Sequence, residues 1–138
     1  MTYQFQLEVV LPATPQQIYD CWLSSEGHTN MTGGAATISD QIGLPYSAWD
    51  EYISGVNLEL NKGKRIKQSW RTTEFSPDHQ DSIIAIELTE VESGTLLVLT
   101  HSNVPIDQKS YENNGWQDHY FTPMLNYFSQ QESENNNA

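Results

Sequence analysis

Residues 116–128 read WQDHYFTPMLNYF. Large apolar side chains recur there at four-residue intervals, with a further ring beside them, at Trp116, Tyr120, Met124, Phe128 and Tyr127. This spacing predicts a helix with a wide apolar stripe. Pro123 lies inside the pattern, where it removes one backbone hydrogen bond and predicts a bend. Such a helix must bury its stripe against another apolar surface, which the rest of the chain has to supply.

The N-terminal part of the chain predicts one strand followed by two short helices. Apolar residues alternate with polar ones over residues 3–11, the two-residue period of a strand with one buried face. Thr14-Pro15-Gln16-Gln17 then supplies an N-cap, a proline at the first helical position and the glutamine of a capping box. A second short helix is expected after Ser24-Ser25, and Gly33-Gly34 ends it.

The middle of the chain predicts an antiparallel meander, because short extended segments alternate there with turn residues. We place its strands near residues 35–39, 46–53, 56–60, 65–75, 82–91 and 95–103. With the first strand, they make a sheet of seven strands.

This order of elements favours an α+β helix-grip fold. A curved, seven-stranded antiparallel sheet wraps around the long C-terminal helix, and two short helices follow the first strand. A space between helix and sheet is the usual result of this packing. We expect residues 1–129 to form a single domain. Residues 130–138 have no apolar side chain before Ala138 and predict a disordered polar tail.

The composition restricts the partners and the location. Six basic residues against eighteen acidic ones give a net charge of -12, and a field of this sign repels nucleic acid. No apolar run approaches the roughly 20 residues that span a bilayer. Cys21 is the single cysteine, and the chain begins with a strand pattern instead of an apolar leader. We therefore expect a cytoplasmic protein that binds neither nucleic acid nor a membrane.

Several segments carry a resemblance to a known family. They are HTNMTGGAA (28–36), WDEYISG (49–55), NLEL (57–60), RIKQSWRT (65–72), THSNVP (100–105), GW (115–116) and YFTPM (120–124). Together they are similar to the SRPBCC or START-like (Bet v 1-like) superfamily, and within it to proteins resembling the activator of heat shock protein 90 ATPase. The resemblance implies a helix-grip fold with a small-molecule cavity. Glu51 departs from the pattern, which tends to carry glycine there, so we expect a differently shaped turn.

A ligand cavity is predicted between the C-terminal helix and the inward face of the sheet. Its candidate residues combine large rings with a few hydrogen-bonding groups, which suits the wall of a small-molecule site. They are Trp49, Tyr52, Gln68, Trp70, Leu97, Leu99, His101, Trp116, Tyr120 and Met124. For each residue taken singly, ordinary core packing is an equal or better interpretation, and the cavity is favoured only for the set.

His101 has two interpretations. Its position on the same strand face as Leu97 and Leu99 points it inward, where a near-neutral pKa would suit an anchor or an acid–base group. The alternative is a buried histidine that is hydrogen-bonded to the backbone or to Asn103. We favour this alternative, because buried polar groups are normally satisfied.

A partner surface is predicted on the opposite face of the sheet. Arg65, Lys67 and Arg71 alternate with the inward set and form a cationic ridge, and Leu96 and Val98 face outward on another strand. A solvated face paired to acidic neighbours is the favoured interpretation. The sharper hypothesis is a docking strip for an acidic partner, a chaperone or a second copy of the chain.

No catalytic residue, metal or cofactor is predicted. The four histidines are scattered without ligand spacing, Gly33-Gly34 lacks the rest of a phosphate loop, and no nucleophile motif is present. Three functions remain open. The leading one is an apolar or lipid-like small-molecule binding domain. The others are a chaperone-associated interaction protein and a START-like enzyme, of cyclase or hydrolase type, that uses His101.

Overall fold

The computed structural model describes residues 2–107, 111 and 115–137, with residues 132–137 as backbone only. In chain order the elements are β1 (Thr2–Leu11), α1 (Pro15–Trp22), α2 (Ser25–Thr32), β2 (Pro45–Ala48), β3 (Ile53–Asn61), β4 (Arg65–Thr72), β5 (Ser82–Val91), β6 (Gly94–Pro105), a π-helical turn (Gln117–Phe121) and α3 (Thr122–Asn137). The strands form one antiparallel sheet in the spatial order β1-β6-β5-β4-β3-β2. The α+β helix-grip prediction is confirmed.

The two short helices begin where their capping residues predict. The Thr14 hydroxyl accepts from the Gln17 backbone N–H at 3.1 Å, and the Gln17 side chain accepts from the Thr14 N–H at 2.8 Å. The Ser24 hydroxyl caps α2 by accepting from the Gly27 backbone N–H at 3.1 Å, and Gly33 ends this helix with a left-handed φ of 86°. These local signals determine where α1 and α2 begin and where α2 ends, without any long-range contact.

The sheet has six described strands, and the strand predicted at 35–39 is wrong. Only Thr37 pairs there, in an isolated bridge with Ser47. Side chains form hydrogen bonds with backbone groups that would otherwise pair with a neighbouring strand. Ser25 Oγ accepts from the Ile38 N–H at 2.9 Å. The Asn57 amide donates to the carbonyl of Ser39, at the end of this segment, and to that of Gln41 just beyond it, so the chain turns away after one bridge.

The strand predicted at 46–53 is shorter than expected. β2 ends at Ala48, because Trp49, Asp50 and Glu51 all adopt left-handed conformations, with φ of 52°, 58° and 70°. Left-handed residues cannot continue a pleated strand. The break between the strands predicted at 46–53 and 56–60 therefore lies earlier in the chain, and Ser54 and Gly55 belong to β3.

The C-terminal helix carries its predicted stripe on the buried side. Trp116, Tyr120, Met124 and Phe128 are each at most 3% exposed. A π-helical turn over Gln117–Phe121 precedes α3, and the Thr122 N–H that follows it donates to the Gln117 carbonyl. Because Pro123 has no N–H to donate, the widened turn places it within the first residues of α3, where proline is tolerated.

The polar segment that we expected to be disordered has a helical backbone instead. α3 continues to Asn137, well past the last aromatic residue of the stripe. Extending an existing helix adds one backbone hydrogen bond for each residue that is fixed, so polar residues can prolong a helix that they could not nucleate.

The helix packs across one face of the sheet, and the centre of this contact is filled. Fully buried side chains of β4, β5 and β6 cluster there with Met124 of the helix, and they are Ile66, Ile84, Ile86, Leu97 and Leu99. The free space in the domain is therefore found towards the two ends of the C-terminal helix.

Candidate functional site

A cavity of about 410 Å³ lies at the N-terminal end of the C-terminal helix. It is enclosed by the turn after β2, by β4 and by the π-helical turn. Its wall is mostly aromatic and consists of Trp49, Tyr52, Ile53, Trp70, Tyr111, Gly115, Trp116, Asp118, His119 and Tyr120. The volume is in the lower range of small-molecule sites.

Half of the predicted cavity residues line this space. They are Trp49, Tyr52, Trp70, Trp116 and Tyr120. The other five, Gln68, Leu97, Leu99, His101 and Met124, face the same interior but are completely buried in the packed centre. Period-two alternation identifies the inward face of a strand, but it does not show where along that face the helix leaves a gap.

The sequence analysis did not predict the other five lining residues, which are Ile53, Tyr111, Gly115, Asp118 and His119. Asp118 and His119 reach the cavity because a π-helical turn widens the helix and brings neighbouring positions to one side. No residue type in 117–121 signals such a turn. Tyr111 and Gly115 lie outside any periodic segment, so pattern analysis passes over them.

His101 is held by hydrogen bonds on both ring nitrogens. The Trp116 indole N–H donates to Nδ1 at 3.1 Å, and this donor-only group fixes the proton on Nε2. Nε2–H then donates to Ser82 Oγ at 2.8 Å, and that hydroxyl donates to the Trp70 carbonyl at 2.5 Å. Burial lowers the pKa of His101 to about 3. This environment favours the structural interpretation over acid–base chemistry, with Ser82 and Trp116 as partners instead of Asn103.

A second buried histidine supports Tyr120, whose ring centroid lies 5.0 Å from that of Trp116 in the same wall. His28 Nδ1–H donates to the Trp22 carbonyl at 3.0 Å, so Nε2 accepts from the Tyr120 hydroxyl at 2.9 Å. Burial lowers the pKa of His28 to about 4 and raises the pKa of Tyr120. The pair is therefore neutral. No periodic signal marks His28, since α2 has a weak apolar pattern.

Gln68 belongs to a third buried network, behind the same wall. The Trp22 indole N–H donates to Gln68 Oε1 at 3.1 Å, and Gln68 Nε2 donates to Asn57 Oδ1 at 2.8 Å. Both Gln68 and Asn57 are 0% exposed. Their amides thus connect α1, β4 and β3 and are occupied by the protein itself.

Trp49 closes the outer side of the cavity. A Cβ added to Gly34 would lie 2.4 Å from the edge of its ring, so only glycine permits this approach. The Trp49 ring also makes an edge-to-face contact with His119, at 5.3 Å between the ring centroids. The Trp49 indole N–H is buried and finds no acceptor within the described part of the chain.

The remaining polar atoms of the aromatic wall are already engaged. The Tyr52 hydroxyl donates to Glu74 Oε2 at 2.7 Å, and the Tyr111 hydroxyl lies 3.2 Å from Thr72 Oγ1. Together with the bonds of Trp116 and Tyr120, these contacts leave mainly ring surfaces facing the cavity. Asp118 adds one exposed carboxylate to the lining.

A comparison with known protein families places the chain. The model of the Activator of Hsp90 ATPase homolog 1-like protein family matches residues 12–129. The chain belongs to this family. Its curated relative "Activator of 90 kDa heat shock protein ATPase homolog" from Dictyostelium discoideum is 22% identical over 128 residues. That match covers 93% of this chain and 33% of the relative, so the chain spans about a third of its length.

Solved structures of similar proteins share the fold of this activator-homolog domain. A crystal structure of an HSP90 activator from Plasmodium falciparum superposes with a TM-score of 0.75 at 20% identity, covering 86% of this chain and 90% of that one. The solution structure of the Aha1 dimer from Colwellia psychrerythraea gives a TM-score of 0.69 at 16% identity, covering 83% and 87%. At these identities the likeness concerns the fold.

The predicted partner surface of the activator-homolog domain is partly neutralised by ion pairs. Arg65 bonds Glu59 at 3.2 Å and Glu87 at 2.9 Å, and Arg71 bonds Asp81 at 2.7 Å. Two of the three ridge cations are thus shared with acidic neighbours. Lys67 makes no ion pair with another described residue, and the outward Leu96 and Val98 are half-buried.

Two further observations concern the described residues as a whole. They include no group of three or more His, Cys, Asp or Glu side chains placed to hold a metal ion. None of the described helices combines the length and the apolar character needed to cross a membrane.

Proposed function

We propose that this domain binds a small apolar molecule, aromatic or lipid-like, in the cavity beside Trp49, Trp70 and Trp116. The carrying observation is the half-open, ring-lined space of about 410 Å³ at the start of the C-terminal helix. Aromatic walls offer dispersion contacts and ring stacking to a flat or flexible apolar ligand. A cavity lined in this way is a poor host for a strongly hydrated molecule.

The charge of the site supports a neutral ligand. Among the described residues, the lining contains the Asp118 carboxylate but no lysine or arginine, and the chain has a net charge of -12. A ligand with an ionised acid group would meet a repulsive field without a counter-charge from these residues. The buried Trp49 N–H is the available donor in the wall, and a ligand acceptor brought to that edge would satisfy it.

The test is a titration with neutral aromatic ketones, medium-chain alcohols and matched fatty acids. Three of the four tryptophans line the cavity, so binding should change Trp fluorescence and shift the indole N–H resonances of Trp70 and Trp116. The neutral probes should bind more tightly than the acids of equal length.

Two matched variants locate the site. Tyr52→Leu removes a ring from the cavity wall, whereas Tyr127→Leu makes the same exchange on α3, away from this cavity. Affinity should fall for the first variant and stay near the wild-type value for the second. A panel that perturbs no cavity resonance, or an equal effect of both exchanges, would contradict the proposal.

A second candidate function is chaperone association. It is supported by the family and by relatives named for activation of heat shock protein 90. We propose Lys67, Leu96 and Val98, with the ion-paired Arg65 and Arg71, as the contact surface, and a homodimer would use the same face. A single half-buried thiol at Cys21 suits the cytoplasm that this function requires.

Charge reversal tests this surface. Lys67→Glu is the cleanest exchange, because it breaks no ion pair of the described residues, and reversal of Arg65 and Arg71 completes the series. Chaperone recovered from a native extract should decrease with each reversal. Unchanged recovery across the series would exclude this surface as the docking strip.

A further inference from the structure

A second and larger groove lies at the other end of the C-terminal helix. Its volume is about 870 Å³. It is bounded by the β1–α1 connection, by one face of α1, by the β5–β6 turn and by α3. The packed centre of the domain separates it from the aromatic cavity, and the two spaces share no lining residue.

The floor of the groove is apolar. Val91, Tyr127 and Phe128 contribute side chains, together with Pro12 and Ala13. Phe128 is nearly buried, whereas Tyr127 and Val91 are half-buried. A ligand could therefore remove further apolar surface from water here.

The β5–β6 turn below this apolar floor is fixed to the end of β1 by close contacts. Thr95 Oγ1 donates to the Ala13 carbonyl at 2.6 Å. At Gly94 a Cβ would lie 2.0 Å from the Leu11 carbonyl oxygen, so the backbone of the β5–β6 turn is pressed against the end of β1. A groove with such a frame is largely formed before a ligand arrives, which lowers the entropic cost of binding.

The rim of the groove is acidic and continues past Tyr127. Asp20, Glu90 and Glu92 line the groove itself. An adjoining space of about 310 Å³ shares Asp20, Cys21 and Tyr127 with it and adds Glu26. Within the described ranges, none of these four carboxylates forms an ion pair.

None of the described residues that line either space is basic. Gly63 lies close to Gln16 of α1. Lys62 and Lys64, on either side of Gly63, are therefore near this helix. Neither lysine lines the groove. The negative charge at this end is thus left to solvent or to a partner of opposite sign.

We infer that this groove docks a basic amphipathic peptide segment of a partner protein. The apolar side chains of such a segment would cover Val91, Tyr127 and Phe128, and its lysines or arginines would meet the carboxylates along the rim. The larger space alone has a volume of about 870 Å³, which is more than a compact cation would fill. The charge complementarity is opposite in sign to that of the ridge around Lys67.

The experiment uses two synthetic peptides of about 14 residues, long enough for roughly 20 Å of helix. Both carry the same leucines, and one has lysines where the other has glutamates. The lysine peptide should bind with amide shifts centred on Val91 and Gly94. The glutamate peptide should produce none.

Charge-matched double variants separate docking from general attraction. Glu90→Gln with Glu92→Gln should weaken the lysine peptide by about three- to tenfold, which is the range for two rim ion pairs. Glu51→Gln with Asp78→Asn removes the same charge from exposed sites outside the groove and should leave the affinity within about twofold.

An equal loss in both double variants would show that net charge alone attracts the peptide and would overturn the inference. Shifts that lie outside the groove would overturn it too. Asp20→Asn is the fallback if the groove variant does not fold. Because the cavity is tested with other probes and other residues, failure of the apolar-ligand proposal and failure of this one are distinguishable.

Discussion

The polar groups at the two ends of the C-terminal helix are accommodated in different ways. At the cavity end, the indole N–H of Trp116 and the hydroxyl of Tyr120 are bonded to buried histidines. At the groove end, Glu90 and Glu92 point to solvent without ion pairs among the described residues. Buried polar groups are normally satisfied within the protein, as these two are, whereas exposed ones remain available. The cavity end is therefore specified by internal bonds, and the groove end is adapted to an outside partner.

Acid should distinguish the two ends most strongly. His28 and His101 lie behind the cavity, with pKa values lowered to about 4 and about 3, whereas the groove is lined by no histidine. Unfolded histidine binds a proton below a pH of about 6.5, so the unfolded state gains protons before the folded state does. The free energy of unfolding should fall between pH 7 and pH 4, by on the order of 3 kcal/mol for each histidine.

Urea denaturation at a series of pH values measures this effect. His28→Gln and His101→Gln should each flatten the pH dependence, whatever their stability at pH 7. His79→Gln is the control, because that ring is not in the buried set. A pH slope that is unchanged in both cavity variants would show that these histidines do not carry it.

The packed centre that separates the two ends should be the next most sensitive region. Leu99 is 0% exposed, and Leu99→Ala should lower the free energy of unfolding by about 2–5 kcal/mol, because the removed methyl groups leave a cavity. Leu125→Ala changes the same residue type at a site that is 39% exposed and should cost less than about 0.5 kcal/mol. Similar urea midpoints for the two variants would mean that the centre is not close-packed.

Gly34→Ala should affect one end only. The added Cβ would lie 2.4 Å from the Trp49 ring, so the ring has to move, at a cost of about 1–3 kcal/mol. Apolar probes should bind less tightly in the cavity, and the lysine peptide should bind the groove as before. Gly33→Asn is the control, because nothing lies within 4 Å there and asparagine tolerates a left-handed φ. Loss of peptide binding in Gly34→Ala would show that the two ends are coupled.

Glu51→Gly should give the smallest effect and the opposite sign. Glu51 has a φ of 70°, and relief of the left-handed strain should raise the free energy of unfolding by about 0.5–1 kcal/mol after the entropic cost of glycine is subtracted. Glu26→Gly, inside α2, should instead lower it by about 1 kcal/mol. Thermal unfolding of both variants checks the signs, and a destabilised Glu51→Gly would mean that the glutamate side chain has a stabilising contact.

Local rules predicted much of this fold. The capping box at Thr14 and Gln17, the glycine at Gly33 and the four-residue stripe up to Phe128 were sufficient, because each depends on neighbours in the sequence. The strand expected at 35–39 was wrong because the amide of Asn57, far along the chain, satisfies that segment. Three successive left-handed residues without a glycine likewise have no signature in residue type.

The site was harder to predict than the fold. The alternation of Leu97, Leu99 and His101 identified an inward face, but the position of free space depends on how side chains from other elements fill the interior. The π-helical turn, which brings His119 to the cavity, arises from backbone geometry. The sequence did not predict the groove, because its carboxylates come from α1 and from the β5–β6 turn, which are distant in sequence.

The filled centre around Leu99 and Met124 also limits how far a guest can extend. A linear hydrocarbon entering beside Trp116 meets a solid wall after the aromatic cavity, so each added methylene should improve affinity only until that wall is reached. Beyond that length the tail must fold back or protrude into water. The packed centre therefore closes the cavity towards the middle of the domain and would limit the length of the proposed apolar ligand.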